Sequence, residues 1–152
     1  MRWSIGAEAR VGPRSLHMVF SLAHWCVLVA SLLPIVCAGI AKYGTFGKRR
    51  SEGGFDNDDP RGWLARQTGW RARANAAQAN SFEALPFFIG AVVIAQQLGA
   101  DPARVDGLAA AFVLLRIVYV GLYVAGVATM RTLVWTSALA VNIAILFSAR
   151  MG

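Results

Sequence analysis

Two sets of ionisable, amide and phenolic side chains stand inside otherwise apolar stretches of this sequence, and together they could hold a small charged molecule. The first set is Arg73, Asn80 and Glu83, within Arg73-Ala-Asn75-Ala-Ala-Gln78-Ala-Asn80-Ser81-Phe-Glu83. At about 100° per helical residue the three fall within an arc of about 80°, whereas Asn75, Gln78 and Ser81 point elsewhere. The second set, Arg116, Tyr119 and Tyr123, shares an arc of about 60°. A third feature is Thr129-Met-Arg131-Thr132, which opens the last apolar run. A helix start presents unpaired N–H groups and a positive dipole, so an anion is stabilised there. Trp135 and Asn142 lie on roughly the same face as Arg131.

These residues are informative because of what surrounds them. The chain has 152 residues, of which 57% are apolar and only 15% charged, more apolar surface than a soluble domain of this length could hide. Four apolar runs, from about Met18 to Tyr43, Ala74 to Leu98, Arg104 to Gly126 and Thr129 to Ala149, have the roughly 18–25 residues a helix needs to cross a bilayer. The fold class expected is an all-α membrane protein, a bundle of four transmembrane helices in one domain over residues 18–149, preceded by a tail over residues 1–17. The first run is longer than a secretory signal core and lacks a cleavage motif, which argues for a retained span. An ionisable group inside the bilayer costs at least about 2.5–3.5 kcal/mol, so it needs a partner, a wet cavity or a function. The second and third spans are joined by the tight turn Gly99-Ala100-Asp101-Pro102 and must be antiparallel. Glu83 and Arg116 then lie at matching depth, which predicts a direct contact between them inside the membrane.

The formal charge of +7 would suggest nucleic acid in a soluble protein, but here it has another address. Lys42, Lys48, Arg49, Arg50, Arg61, Arg66, Arg71 and Arg73 all belong to, or flank, the connection between the first two spans. By the positive-inside rule that loop, with the short one between spans three and four, is cytoplasmic. Nucleic acid is not an expected partner. Arg2, Arg10 and Arg14 would then have to cross the membrane, a conflict that a start at Met18 instead of Met1 removes. The loop itself, Gly44 to Trp70, reads as an irregular polar connection. Cys26 and Cys37 sit eleven residues apart on one helix, roughly 16 Å, too far for a bridge, and read as small packing residues. With His17 and His24 they match no metal-ligand spacing, so no metal site is expected.

Asn80-Ser-Phe-Glu83-Ala-Leu-Pro86-Phe87, preceded by Arg71-Ala-Arg73-Ala, resembles the Arg…Asn-x-x-Glu-x-x-Pro signature of the MAPEG family, the membrane-associated proteins of eicosanoid and glutathione metabolism. Arg116-x-x-Tyr119-x-x-x-Tyr123 resembles that family's third-helix motif, and Arg131-Thr132 the Arg-Ser pair opening its fourth helix. The resemblance covers Lys42 to about Asn142 and points to the bacterial branch, similar to microsomal glutathione transferases. It implies a homotrimer of left-handed four-helix bundles with a glutathione site between neighbouring subunits. It also implies that Asn80, Glu83, Tyr119 and Tyr123 hold the tripeptide, that Arg116 supports Glu83, and that Arg131 and Thr132 face the sulfur as the catalytic pair. Lys42, Arg73 or both would hold its carboxylates. Two positions depart from the family pattern, because Ala76 and Ala79 stand where eukaryotic members usually carry arginine. Where some members have an aromatic hydroxyl in the fourth helix, the residue is Trp135.

The function these features predict is that of a membrane-bound, glutathione-dependent transferase or peroxidase. It would take glutathione as co-substrate and a lipophilic electrophile from the membrane lipid. The alternative is a non-catalytic lipid-binding or scaffold protein of the same family, favoured by Ala76 and Ala79.

Overall fold

The computed structural model describes residues 20–150, so the tail over residues 1–17, His17 and the start at Met18 lie outside the described residues. Five α-helices follow one another: α1 (Leu22–Lys42), α2 (Pro60–Ala65), α3 (Gly69–Gln97), α4 (Pro102–Ala125) and α5 (Ala128–Phe147), and no strand occurs among the described residues. Four of them, α1, α3, α4 and α5 with its short 3-10 extension, are long and apolar enough to cross a bilayer. The chain is an integral membrane protein built on a four-helix bundle.

The helix ends follow from local chemistry. The Asp101 carboxylate accepts the Arg104 N–H at 3.2 Å and Pro102 occupies the first turn of α4, where a missing N–H costs nothing. Asp106, further along α4, accepts the Ala23 N–H at 2.8 Å and so ties the start of α1 to its neighbour. At its other end α4 stops at Gly126, whose φ of 83° is left-handed, a conformation that glycine adopts without strain. The spans expected from hydropathy match these helices to within a few residues, with one instructive exception. Helix α3 begins at Gly69 rather than Ala74, and at 29 residues it is about 43 Å long, more than a hydrocarbon core of about 30 Å needs. Its first turns, with Trp70, Arg71 and Arg73, therefore project past the apolar layer, and hydropathy does not detect them.

Within the bundle α1 packs on α3 and α4, and α5 packs on α4 and α3. Small residues at these contacts, among them Ala23, Ala30, Ala77, Ala91, Ala109 and Ala138, let the backbones approach closely. Phe88 and Phe112 stack at 4.1 Å near the centre. Cys26 and Cys37 are buried free thiols. The outer surface carries Trp25, Leu32, Ile35, Leu114, Ile117 and Leu133, all more than 45% exposed, an apolar surface suited to acyl chains or a neighbouring subunit.

The long loop is not irregular. It contains a 3-10 turn over Arg50–Glu52 and the helix α2, whose N-terminus is capped by Asp59 accepting from the Gly62 N–H at 2.9 Å. Arg50 pairs with Asp56 at 3.1 Å and with Asp58, and Phe55 packs edge-on to buried Trp63 at 5.3 Å. Arg66 also pairs with Asp59 at 3.4 Å, so the acidic residues Asp56, Asp58 and Asp59 supply a cap and three ion pairs, which no hydrophobic period announces.

The left-handed Gly126 turn gives a direct test. A Cβ at Gly126 would also meet the Arg73 guanidinium at 3.4 Å, whereas one at Gly121 meets nothing. Gly126→Val is expected to cost about 1–2 kcal/mol or more, read as a lower thermal midpoint in detergent, while Gly121→Ala leaves the midpoint unlowered.

Candidate functional site

Arg116 lies on α4 at the level where α3 presents Asn80 and Ser81, and it is only 3% exposed. Its Nη1 donates to Asn80 Oδ1 at 3.0 Å and its Nη2 to Ser81 Oγ at 3.2 Å. Ser81 in turn donates to the Ala77 carbonyl at 2.8 Å. The other end of the Asn80 amide donates to Glu83 Oε2 at 3.2 Å. The direct Glu83 to Arg116 contact expected from matching depth is therefore replaced by a relay, guanidinium to amide to carboxylate. The physical reason is breadth: a guanidinium has donors on several edges, and two of them reach side chains on adjacent residues of α3 that a helical projection separates by about 100°. Ser81, set aside by its direction on the wheel, is the partner of Arg116 that sequence reasoning missed. The signal available was a small hydroxyl one residue from an amide already assigned to the site.

From Arg116 a ladder of charge and aromatic faces runs toward the start of α5. The Arg116 guanidinium lies 4.4 Å from the Tyr119 ring centre, Tyr119 and Tyr123 meet edge to face at 5.5 Å, and the Arg131 guanidinium sits 4.2 Å over Tyr123. Each step is an attraction between a cation or ring edge and a π face, worth about 0.5–2 kcal/mol. The ladder spans two helices and fixes the rotation of α5 relative to α4.

Along this ladder the three helices α3, α4 and α5 leave a cleft in two parts. The outer part, about 220 Å³, is lined by Asn80, Tyr119, Tyr123, Arg131, Thr132 and Trp135. The inner part, about 160 Å³, adds Glu83, Arg116 and Asn142 to a mainly apolar lining that includes Phe87, Phe112 and Leu139. Asn80 and Trp135 border both parts. Helix α5 begins without any side-chain cap, its N-cap residue being Val127, so the backbone N–H groups of its first turn have no side-chain acceptor. Thr132 is exposed beside them and directs its hydroxyl to the Ala128 carbonyl at 3.2 Å.

The structure thus brings together Asn80, Glu83, Arg116, Tyr119, Tyr123, Arg131 and Thr132. It places the two remaining residues elsewhere. Arg73 donates through Nε to the Val124 carbonyl at 2.9 Å, satisfying the C-terminal end of α4 beside the Gly126 turn. Lys42 ends α1, across the bundle from α5, with its ammonium 4.1 Å from the Phe55 ring centre.

A four-helix membrane bundle with a polar cleft near one end, built from Asn-x-x-Glu on one helix, Arg-x-x-Tyr-x-x-x-Tyr on the next and Arg-Thr at the start of the last, defines a narrow class of membrane protein. The chain belongs to the MAPEG family, whose model matches residues 22–151. No curated protein and no solved structure matches the chain.

The Arg116–Asn80 bond predicts energetic coupling. In a double-mutant cycle of Arg116→Met and Asn80→Leu, read by unfolding in detergent, the coupling is expected between about 0.5 and 3 kcal/mol. Additive losses would show that the two side chains do not support one another.

Proposed function

We propose that the chain is a membrane-bound glutathione-dependent transferase or peroxidase that activates the glutathione thiol for attack on a lipophilic electrophile. The observation that carries this reading is the outer cleft. A cation, two phenols and a hydroxyl surround one opening, beside the amide and carboxylate of Asn80 and Glu83. Membership of the MAPEG family supports it.

A free thiol with a pKa near ~8.5 is mostly protonated at neutral pH, so the protein must favour the anion. Arg131, Thr132 and the dipole of α5 would do this together, with Thr132 rotating its hydroxyl from the Ala128 carbonyl toward the sulfur. Glu83 would take the ammonium group of the tripeptide, held in place by Asn80. Arg73 uses Nε on α4, which leaves its Nη groups for a carboxylate. Lys42 is too far round its own bundle to serve the same cleft, so in a homotrimer it would serve the site of a neighbouring subunit. The basic loop would face the cytoplasm of a bacterial cell, where glutathione is supplied, and the electrophile would enter from the bilayer. In conjugation the thiolate forms a carbon–sulfur bond and the electron pair leaves with the departing group or moves onto an acceptor atom. With a hydroperoxide the sulfur attacks the terminal oxygen, the O–O bond breaks with its electron pair leaving on an alkoxide that takes up a proton, and a second glutathione displaces water from the resulting sulfenic acid to form the disulfide.

Ala76 and Ala79, together with the engagement of Arg73 on α4, favour the second reading, a lipid-binding or scaffold member of the family without tripeptide affinity. Calorimetric titration of the detergent-purified protein with glutathione separates the two, since saturable binding is expected of the enzyme and none of the scaffold. Arg131→Ala is further expected to abolish the ultraviolet absorbance of bound thiolate while weakening tripeptide binding only modestly. Thiolate absorbance that survives the substitution would remove Arg131 from its assigned role.

A further inference from the structure

The connection between α1 and α3 holds five basic and four acidic residues from Gly44 to Trp70, so by composition it is nearly neutral. The fold divides these charges. Asp56, Asp58 and Asp59 are taken up within the loop, by Arg50, by Arg66 and by the N–H groups of Asp58, Asp59 and Gly62. Lys48, Arg49 and Arg61 are exposed, and among the described residues no side chain pairs with them. Against these three cations the loop leaves only the carboxylate of Glu52 unpaired.

At the start of the same connection stand the two most exposed large apolar side chains of the described residues, Tyr43 at 75% and Phe46 at 69%. They follow directly on Lys42, where α1 ends and the span leaves the hydrocarbon. Phe46 is held in place. Its ring lies 5.9 Å from that of Phe55, which packs on buried Trp63 at 5.3 Å and receives the Lys42 ammonium at 4.1 Å. The tip beyond it is braced as well. The Phe55 N–H donates to the Thr45 carbonyl at 3.3 Å, and the Arg49 carbonyl accepts from the N–H groups of Glu52 at 2.9 Å and Gly54 at 3.0 Å. Gly54 is packed so closely that a Cβ there would collide with the carbonyls of Lys48 and Arg49. An ordered frame thus presents Lys48 and Arg49 two and three residues after Phe46, within about 11 Å of it.

We propose that this loop is a binding site for anionic phospholipid headgroups at the membrane surface, with Tyr43 and Phe46 seated at the boundary of headgroups and acyl chains and Lys48 and Arg49 paired with the negative headgroups beside them. The partner follows from the two features together. Aromatic side chains at the end of a span rest at headgroup level, and basic residues at that level favour anionic over zwitterionic lipid. A soluble acidic partner would satisfy the cations and leave the ring of Phe46 in water. The inference does not depend on whether the cleft takes glutathione.

The test places the full chain in phosphatidylcholine bilayers with a small fraction of spin-labelled phosphatidylglycerol or spin-labelled phosphatidylcholine, and reads the motionally restricted lipid by electron paramagnetic resonance. The wild-type protein is expected to prefer the phosphatidylglycerol by about fivefold or more, the effect of one cation near an anionic surface. The double variant Lys48→Gln with Arg49→Gln should bring the two lipids within about twofold of each other with an unchanged helical circular dichroism spectrum, while Arg150→Gln, an exposed cation on the last turn, keeps the preference. A separate reading comes from a nitroxide attached at Phe46→Cys, Cys26 and Cys37 being buried. It should collide more with oxygen than with a water-soluble nickel chelate. Equal association of the two lipids with the wild type, a preference that survives the double variant or falls as far in Arg150→Gln, displacement of the labelled lipid by millimolar glycerol 3-phosphate, or a nitroxide more accessible to the chelate overturns the assignment.

Discussion

A guanidinium held among four apolar helices is the constraint on which the arrangement of this protein depends. Arg116 is only 3% exposed, and removing an ion from water costs several kcal/mol even after the protein relaxes. Its partners must therefore be supplied by the bundle, and they come from one short stretch of α3. Asn80 and Ser81 accept from its two terminal nitrogens, and Tyr119 offers a ring face. This requirement fixes the rotation and the height of α3 against α4. Once those are fixed, Glu83, three residues beyond Asn80, has to stand at the cleft.

The same constraint propagates to α5. Tyr119 and Tyr123 follow Arg116 at helical intervals, so a rotation of α4 that buries the arginine also turns both phenols along one line toward Arg131. The turn at Gly126 is short enough that α5 must begin immediately beside the end of α4. Arg73 secures that corner from the third helix by bonding the Val124 carbonyl. The residue at the projecting end of α3 thus holds the α4–α5 turn, and the position of Arg131 and Thr132 depends on it. A charge that looks like part of a ligand site is also a fastening of the helix that carries the site.

Much of this was legible in the sequence because a bilayer restricts the chain to helices whose hydrogen bonds close on themselves, and such helices leave a long, unmistakable hydropathy signal. The two polar stripes were legible for a related reason, since charged groups in apolar runs are costly and draw attention to themselves. What a helical projection cannot supply is reach. Arg116 was expected on Glu83 and instead bonds Asn80 and Ser81, because the guanidinium spans two directions of a neighbouring helix at once. Arg73 shares the angular position of Asn80, but it lies two turns nearer the helix start, opposite the free carbonyls of α4. The loop between α1 and α3 was read from composition as irregular. Its order comes from Asp59 as a cap, Arg50 between two aspartates and the packing of Phe55 on Trp63, which are contacts at short range without any period.

The composition of α5 divides the cleft along its length. Its first two turns offer Arg131 and Thr132, whereas Ala138, Leu139 and Asn142 follow two to three turns deeper, and the eleven residues from Arg131 to Asn142 cover about 16 Å. On the proposed reading a charged nucleophile would be held at the outer end, beside Arg131, and an apolar electrophile would lie at the inner end against Phe87, Phe112 and Leu139. Two reactants of those opposite kinds would meet where the halves join, at Asn80 and Trp135. Asn80 is also the residue through which Arg116 and Glu83 are linked, so on the proposed reading the group that satisfies the buried charge also marks the junction at which the chemistry takes place.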